Sequence, residues 1–386
     1  LSASVASHIA TADLTGNTTP DVLIAGATSG LVYFNTSGTY ADSGQLLNGS
    51  TKVRSAAAAA LTGNGLRDLV TASNDQPSHV WHNAGAGQFF SRPVQVLNIT
   101  AGQAVALGPL NNDAHIDAFI TTVSQPSYPW LNNGSGLLFA DISAALPSYN
   151  SRSLVVADMN GDSFLDLIFT TTGNNQLWRN NGNAAFTSVG ANQIGTSGGY
   201  ALATADLDGS NGPDVIIPRG GSTTQIFLQQ SDGSFAAGTS LANPAFGVVV
   251  GHFNADAHLD LITAGTTSHL WLGNGDGTFT ESSQTFPANM RVVIAGDING
   301  DGHLDVVFAN PVLVNGTDAI PTQVWLNDGL GNFTYSAQSL GERGQSLILA
   351  DFDGDGDLDL FVGSEFVTDK LYRNRKDELA AVAAGP

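Results

Sequence analysis

The chain of 386 residues carries a formal charge of −21, has no cysteine, and is 42% hydrophobic but only 12% charged. That charge argues against nucleic acid or an anionic membrane as a partner. The missing thiols exclude disulfides, thiolate metal sites and cysteine nucleophiles, and no apolar run reaches the roughly 18 residues of a membrane span, so membrane insertion is not expected.

The first residues, LSASVASHIATAD, have no basic segment ahead of an apolar one, so no signal peptide is visible in them. An apolar strand from about Val5 to Ala12 instead leads into the nine residues Asp13-Leu-Thr-Gly-Asn-Thr-Thr-Pro-Asp21. The same frame recurs down the chain as Ala60 to Asp68, Pro109 to Asp117, Asp158 to Asp166, Asp206 to Asp214, His252 to Asp260, Asp297 to Asp305 and Asp351 to Asp359. Starts are 45 to 54 residues apart. Roughly a dozen residues after each loop comes an aromatic, then any residue, then usually Asn. The aromatics are Tyr33, Trp81, Trp130, Trp178, Phe227, Trp271, Trp325 and Tyr372, which include all five tryptophans.

Each repeat reads as four short strands. A small apolar strand enters the loop, a β-branched strand such as LDLIFTT or LDVVFAN leaves it, the aromatic strand follows, and an Asn-Gly or Asp-Gly hairpin such as WLGNGDGTF leads to an outer strand. No segment has sustained helical periodicity with caps. Four strands per repeat of this length predict an all-β fold, a β-propeller of four-stranded blades, over a solenoid. The whole chain, 1–386, is then one domain. Its repeats run approximately 1–48, 49–97, 98–147, 148–195, 196–242, 243–287, 288–340 and 341–386. The count favours eight blades, with seven plus a half-repeat as the alternative, because in the last hairpin Ala380 stands where other blades have Phe.

Carboxylates crowded together repel unless a cation sits among them. The Asp351 loop, DFDGDGDLD, starts like an EF-hand, but Val362 stands at the twelfth position where that motif needs a bidentate Glu, and strands flank it. The alternative is a loop with oxygen ligands at positions 1, 3, 5 and 9 and the backbone carbonyl of 7, which suits Ca²⁺ better than Zn²⁺.

Loop, strand context and repeat resemble the FG-GAP/VCBS propellers, a family that includes the integrin α-subunit head and secreted lectin-like proteins. The resemblance spans nearly the whole chain and implies calcium in the loops. Four loops carry the complete pattern: Asp158, Asn160, Asp162 and Asp166; Asp206, Asp208, Ser210 and Asp214; Asp297, Asn299, Asp301 and Asp305; Asp351, Asp353, Asp355 and Asp359. Seventh-position carbonyls would come from Phe164, Gly212, His303 and Asp357. Weaker sets are Asp13, Asn17 and Asp21; Asn111, Asp113 and Asp117; and Asn254, Asp256 and Asp260. The loop ending at Asp68 keeps one carboxylate beside Arg67, and no metal is expected there.

The loops hold 21 of the 34 acidic residues, so much of the charge follows from metal binding and says little about a basic partner. Nothing in the sequence forms a catalytic motif, and acids outside the loops are sparse, so an enzyme is not expected; a polysaccharide-active enzyme is the least favoured reading. His115, His258 and His303 occupy loop position 7, where their side chains are expected to face solvent, and the aromatics are expected to pack between blades. Sequons at Asn35, Asn48, Asn98, Asn133, Asn315 and Asn332 are candidate glycosylation sites; a further sequon, Asn17, lies inside a loop. An insertion lengthens the seventh repeat between Asp305 and Trp325, where added residues on a repeat scaffold can form a working face. The resemblance implies a secreted or cell-surface protein that recognises a glycan or an extracellular protein. The alternative is a self-assembling subunit of an extracellular filament.

Overall fold

The computed structural model describes residues 6–381 apart from 27–29, 37, 48–52, 90–92, 142–143, 191–193, 197, 313–319, 365–367 and 376–378. Its 32 strands fall, in chain order, into eight groups of four. Every group is an antiparallel meander, and the chain folds as a β-propeller of four-stranded blades. The fifth and sixth groups are joined into one sheet, because Thr223 and Thr224 of the fifth aromatic strand pair with Pro244 and Leu241 at the start of the sixth inner strand.

The sequence explains each layer of a blade. The second strands are mostly apolar after their first aspartate and buried on both faces: Asp21–Gly26, Asp68–Ser73, Asp117–Thr122, Asp166–Thr171 and Asp260–Gly265 are buried at every residue. Unbroken β-branched runs of this kind belong in the middle of a stack. Inner strands are richer in small residues and only half-buried, as in Ser151–Ala157 and Ser346–Ala350. Outer strands such as Phe186–Ser188 and Phe279–Glu281 are short and polar, which keeps exposed edges brief.

Apolar clusters bridge neighbouring blades. Val70 and Val80 of the second blade pack with Ile120 and Trp130 of the third. Ile9, Val22 and Tyr33 of the first blade pack with Phe352, Phe361 and Leu371 of the last, so the two ends of the chain meet in one cluster. Each terminal blade is built from its own contiguous segment, and closure rests on this packing. In the last hairpin the residue paired with Asn374 is Leu379, buried like Phe235 and Phe333 of other blades. The turn is one residue shorter than the sequence spacing suggested, so Leu379, and not Ala380, takes the Phe position.

Six of the eight repeat aromatics are buried, from Tyr33 and Trp81 at 1% exposure to Trp130 at 7%. They serve as packing between blades, as expected. Trp178 and Trp325 are partly buried.

Candidate functional site: the acidic loops and the opposite face

The last aspartate of every loop is completely buried. In all eight, Oδ2 accepts the N–H of loop position 2 at 2.7 to 3.0 Å. Oδ1 accepts the N–H of the residue two beyond the aromatic at 2.7 to 2.8 Å. The carboxylate thus ties the acidic loop to the third strand of its own blade, in complete and degenerate loops alike. Its ninth-position recurrence, assigned from sequence to metal binding, has this second and sufficient cause.

A further link crosses between blades. The position-2 residue, buried and apolar in every loop, offers its carbonyl to the following blade. Asn83 Nδ2 donates to Leu14 O at 2.7 Å, Asn132 to Leu61 at 2.8 Å, Asn180 to Leu110 at 2.7 Å and Asn327 to Phe253 at 3.0 Å. Gln229 donates likewise to Met159, and Asn374 to Ile298. Asn35 donates to Phe352 and so links the first blade to the last. The only junction without this latch lies between the fifth and sixth blades. There the residue is Gly273, whose Cα approaches Leu259 O so closely that a Cβ would lie 2.1 Å from it. This is also the junction where the two sheets are directly paired. The recurring Asn was visible in the sequence, but its partner lies about 70 residues away and could not be read there.

Asn35 is fully buried, and its Nδ2 also donates to Pro20 O at 3.0 Å, which removes it from the glycosylation candidates. Asn98, Asn133 and Asn332 are exposed. Asn48 and Asn315 lie outside the described residues, as does most of the seventh-repeat insertion.

First-position aspartates cap the turn. Asp351 accepts the N–H groups of Gly354 and Gly356 at 2.7 and 3.0 Å, and Asp297 those of Gly300 and Gly302 at 2.8 and 2.9 Å. Two loops gather three carboxylates with oxygens within 4.8 Å of one another: Asp206, Asp208 and Asp214, and Asp351, Asp353 and Asp359. Among the described residues these are the only such triads. Asp353 Oδ1 is buried with no hydrogen-bond partner, although its Oδ2 lies 3.7 Å from Arg373 Nε. Burial and the neighbouring Asp355 raise its pKa above the usual carboxylate range. A buried carboxylate oxygen without a donor, beside two further carboxylates, fits a hard cation.

The other two complete loops are closed on themselves. Asn160 Nδ2 donates to Asp162 Oδ2 at 2.9 Å, and Asn299 Nδ2 to Asp301 Oδ2 at 2.8 Å. Asn254 does the same to Asp256 at 2.7 Å in a weaker loop. In the first loop Asn17 Nδ2 donates to Asn35 O at 2.6 Å. In the third, Asn111 and Asp113 accept N–H groups of the turn. His252, which replaces the first carboxylate, places Nδ1 2.9 Å from His258 O. Arg67 forms no ion pair with Asp68. The position-7 rings of His258 and His303 are exposed and lie over Gly275 and Gly329, hairpin glycines with φ of 78° that a Cβ would block; His115 is half-buried.

The opposite ends of the strands carry a different chemistry. A cleft of about 550 Å³ opens on the fourth blade between the segment entering its inner strand and the loop after its second strand. Tyr149 and Trp178 supply its aromatic faces, and Asn150, Asn174, Gln176 and Ser188 its polar groups. No lining residue is charged. Trp178 Nε1 is buried without an acceptor.

Comparison with known proteins gives the context. The FG-GAP-like repeat family matches residues 110–169, 158–217, 252–308 and 312–381. Human cartilage acidic protein 1 is 28% identical over 179 residues, 43% of this chain, and the chain spans about a quarter of that protein's length (26%). Among solved structures, an Agrocybe aegerita lectin that recognises non-reducing terminal N-acetylglucosamine is 19% identical, with a TM-score of 0.51 over 84% of this chain and 92% of that one. The V. cholerae biofilm matrix protein Bap1 is 14% identical, with a TM-score of 0.57 over 93% and 85%. BBS1N, solved in complex with ARL6DN, is 14% identical with a TM-score of 0.51 over 95% and 91%. At these identities the likeness is one of fold.

Proposed function

Because the chain belongs to the FG-GAP-like repeat family, we propose that it is a secreted or cell-surface, calcium-stabilised and non-catalytic propeller that recognises a neutral glycan in the cleft of its fourth blade. The cleft is the observation that carries this reading. Two aromatic faces, planar amides and hydroxyls without a charge suit a ligand that is polar, ring-shaped and neutral. The glycan-recognising lectin among the structural neighbours supports the same class of ligand.

Calcium would be held first in the Asp206 and Asp351 loops, by Asp206, Asp208 and Asp214 and by Asp351, Asp353 and Asp359, with Ser210 and Asp355 completing each set. Asn160 and Asn299 would have to turn their amides for the Asp158 and Asp297 loops to do the same. In each site the cation offsets carboxylate repulsion and braces the loop that the buried ninth aspartate anchors. An extracellular setting suits calcium at millimolar supply, and the biofilm matrix neighbour is consistent with that location.

A glycan array followed by titration calorimetry tests the reading. Neutral oligosaccharides should bind, and Asn174→Ala, an exposed change, should weaken binding at least about tenfold with the melting temperature unchanged. Absence of any neutral-glycan ligand, or full affinity in both Asn174→Ala and Trp178→Ala, would overturn it. The alternative, a self-assembling matrix subunit, predicts reversible concentration-dependent association in light scattering.

A further inference from the structure

The residue six positions before each acidic loop is Ser7, Arg54, Gln103, Arg152, Tyr200, Phe246, Arg291 and Gln345 in successive blades. This position lies at the end of the inner strands opposite from the acidic loops. In five blades it is the extra residue of a β-bulge, skipped in the pairing between Ala6 and His8, Val53 and Ser55, Gly102 and Ala104, Ser151 and Ser153, and Ala245 and Gly247. A bulge re-aims the side chain it carries.

Here side chains at this position meet from blade to blade, Arg152 and Phe246 from bulges and Tyr200 and Arg291 from the segments just before their strands. The Arg152 guanidinium stands 4.1 Å from the centre of the Tyr200 ring, Tyr200 packs edge-on to Phe246 at 5.0 Å, and the Arg291 guanidinium stands 4.0 Å from the Phe246 ring. Four blades thus contribute to one continuous row around the axis. Gly220, beneath both rings, follows Arg219, whose Nε is buried without an acceptor. Arg54 and Arg152 are exposed, and Tyr200 is 42% exposed. None of Arg54, Arg152, Arg219 or Arg291 has a carboxylate partner among the described residues. In a chain with 13 basic and 34 acidic residues, three arginines at one repeat position without acidic partners form a local positive rim.

We propose that this rim is an anion-binding site for the carboxylate or sulfate groups of an acidic polysaccharide. An arginine stacked on an aromatic ring keeps its N–H edge free and fixed for an oxyanion. Tyr200, 42% exposed, adds apolar surface beside the guanidinium for a sugar ring. Three or four cations on a chain of net charge −21 match a sparsely charged polymer, whereas a dense polyanion would be repelled by the rest of the molecule. The site shares no residue with the lining of the cleft on the fourth blade, and each proposal stands without the other.

Calorimetry on the full chain, in calcium, with a hyaluronan oligosaccharide (carboxylate only), a chondroitin sulfate oligosaccharide and neutral dextran tests it. At least one acidic oligosaccharide should bind, more weakly at 300 than at 50 mM salt, and dextran should not displace it. The two acidic probes separate carboxylate from sulfate. Arg152→Gln with Arg291→Gln should weaken binding about tenfold or more, and Arg54→Gln, which disturbs no packed ring, should weaken it measurably. Asn174→Ala should leave it unchanged. No binding to either acidic probe, or full affinity in both arginine variants, would overturn the proposal. So would salt-sensitive self-association that the arginine variants abolish while neither oligosaccharide binds, which would assign the rim to a second copy of the chain.

Discussion

At the scale of single residues, the ninth aspartate shows how one carboxylate can be retained for two reasons. Asp68 sits in a loop with no other carboxylate, yet it is as buried and as fully bonded as Asp166 or Asp359. Its two acceptors can therefore be tested apart from any metal. Asp68→Ala leaves two buried N–H groups unpaired and should cost about 2–4 kcal/mol in urea unfolding, with or without calcium. A loss under about 0.5 kcal/mol would refute the hydrogen-bonding role.

The same burial governs pH dependence. Desolvation raises the carboxyls of Asp166, Asp214 and Asp359 to about 6, against the backbone hydrogen bonds that lower them. Unfolded, each would titrate near ~3.9. Between those values the folded state holds more protons than the unfolded one, so folding is favoured as pH falls through about 6. Metal-stripped protein should melt higher at pH 5 than at pH 7.5, and calcium should shrink or reverse the difference, because protons then compete with the cation. A lower melting temperature at pH 5 in the stripped protein would contradict this.

At the scale of elements, the sequence showed the strands, their order and the hairpins, because those signals are local: Asn-Gly turns, β-branched runs and a repeating aromatic. It also showed the buried role of most of the aromatics. It missed the latch from each Asn to the preceding blade and the stacking of Arg152 and Arg291 on rings of neighbouring blades, since both are contacts between segments about 50 to 70 residues apart. It placed a glycan acceptor on Asn35, where burial leaves no room, because a sequon carries no information about depth. Of the four complete loops, the sequence treated Asn160 and Asn299 as equal to the aspartates. The amide N–H groups that close those loops depend on side-chain orientation, which spacing does not encode.

The latch has its own test. Asn132→Ala removes the donor to Leu61 O and the acceptor of the Gly134 and Gly136 N–H groups, and should cost about 1–3 kcal/mol, while its exposed neighbour Asn133→Ala should stay within about 0.5 kcal/mol. Equal effects at the two sites would remove the latch from the account of stability.

At the scale of the whole molecule, the two ends of the strands differ in charge. One end holds the loops with 21 of 34 acids, the other an arginine rim and an uncharged cleft. The repeat supplies the frame, and the proposed recognition groups come from side chains that differ between blades: Trp178 and Tyr149 in the fourth, Arg152, Tyr200, Phe246 and Arg291 in the fourth to seventh. In the proposed function calcium belongs to the frame. Because a cation bound only by the folded state adds stability in proportion to the logarithm of its concentration over its dissociation constant, each occupied loop contributes up to about 2.7 kcal/mol at a hundredfold excess. Thermal unfolding of metal-stripped protein, repeated with 2 mM calcium, is the most direct test of the central claim. The account predicts a rise of at least about 5 °C that is reversed by chelation and reduced in Asp353→Asn, whereas an identical melting temperature with and without calcium would contradict it.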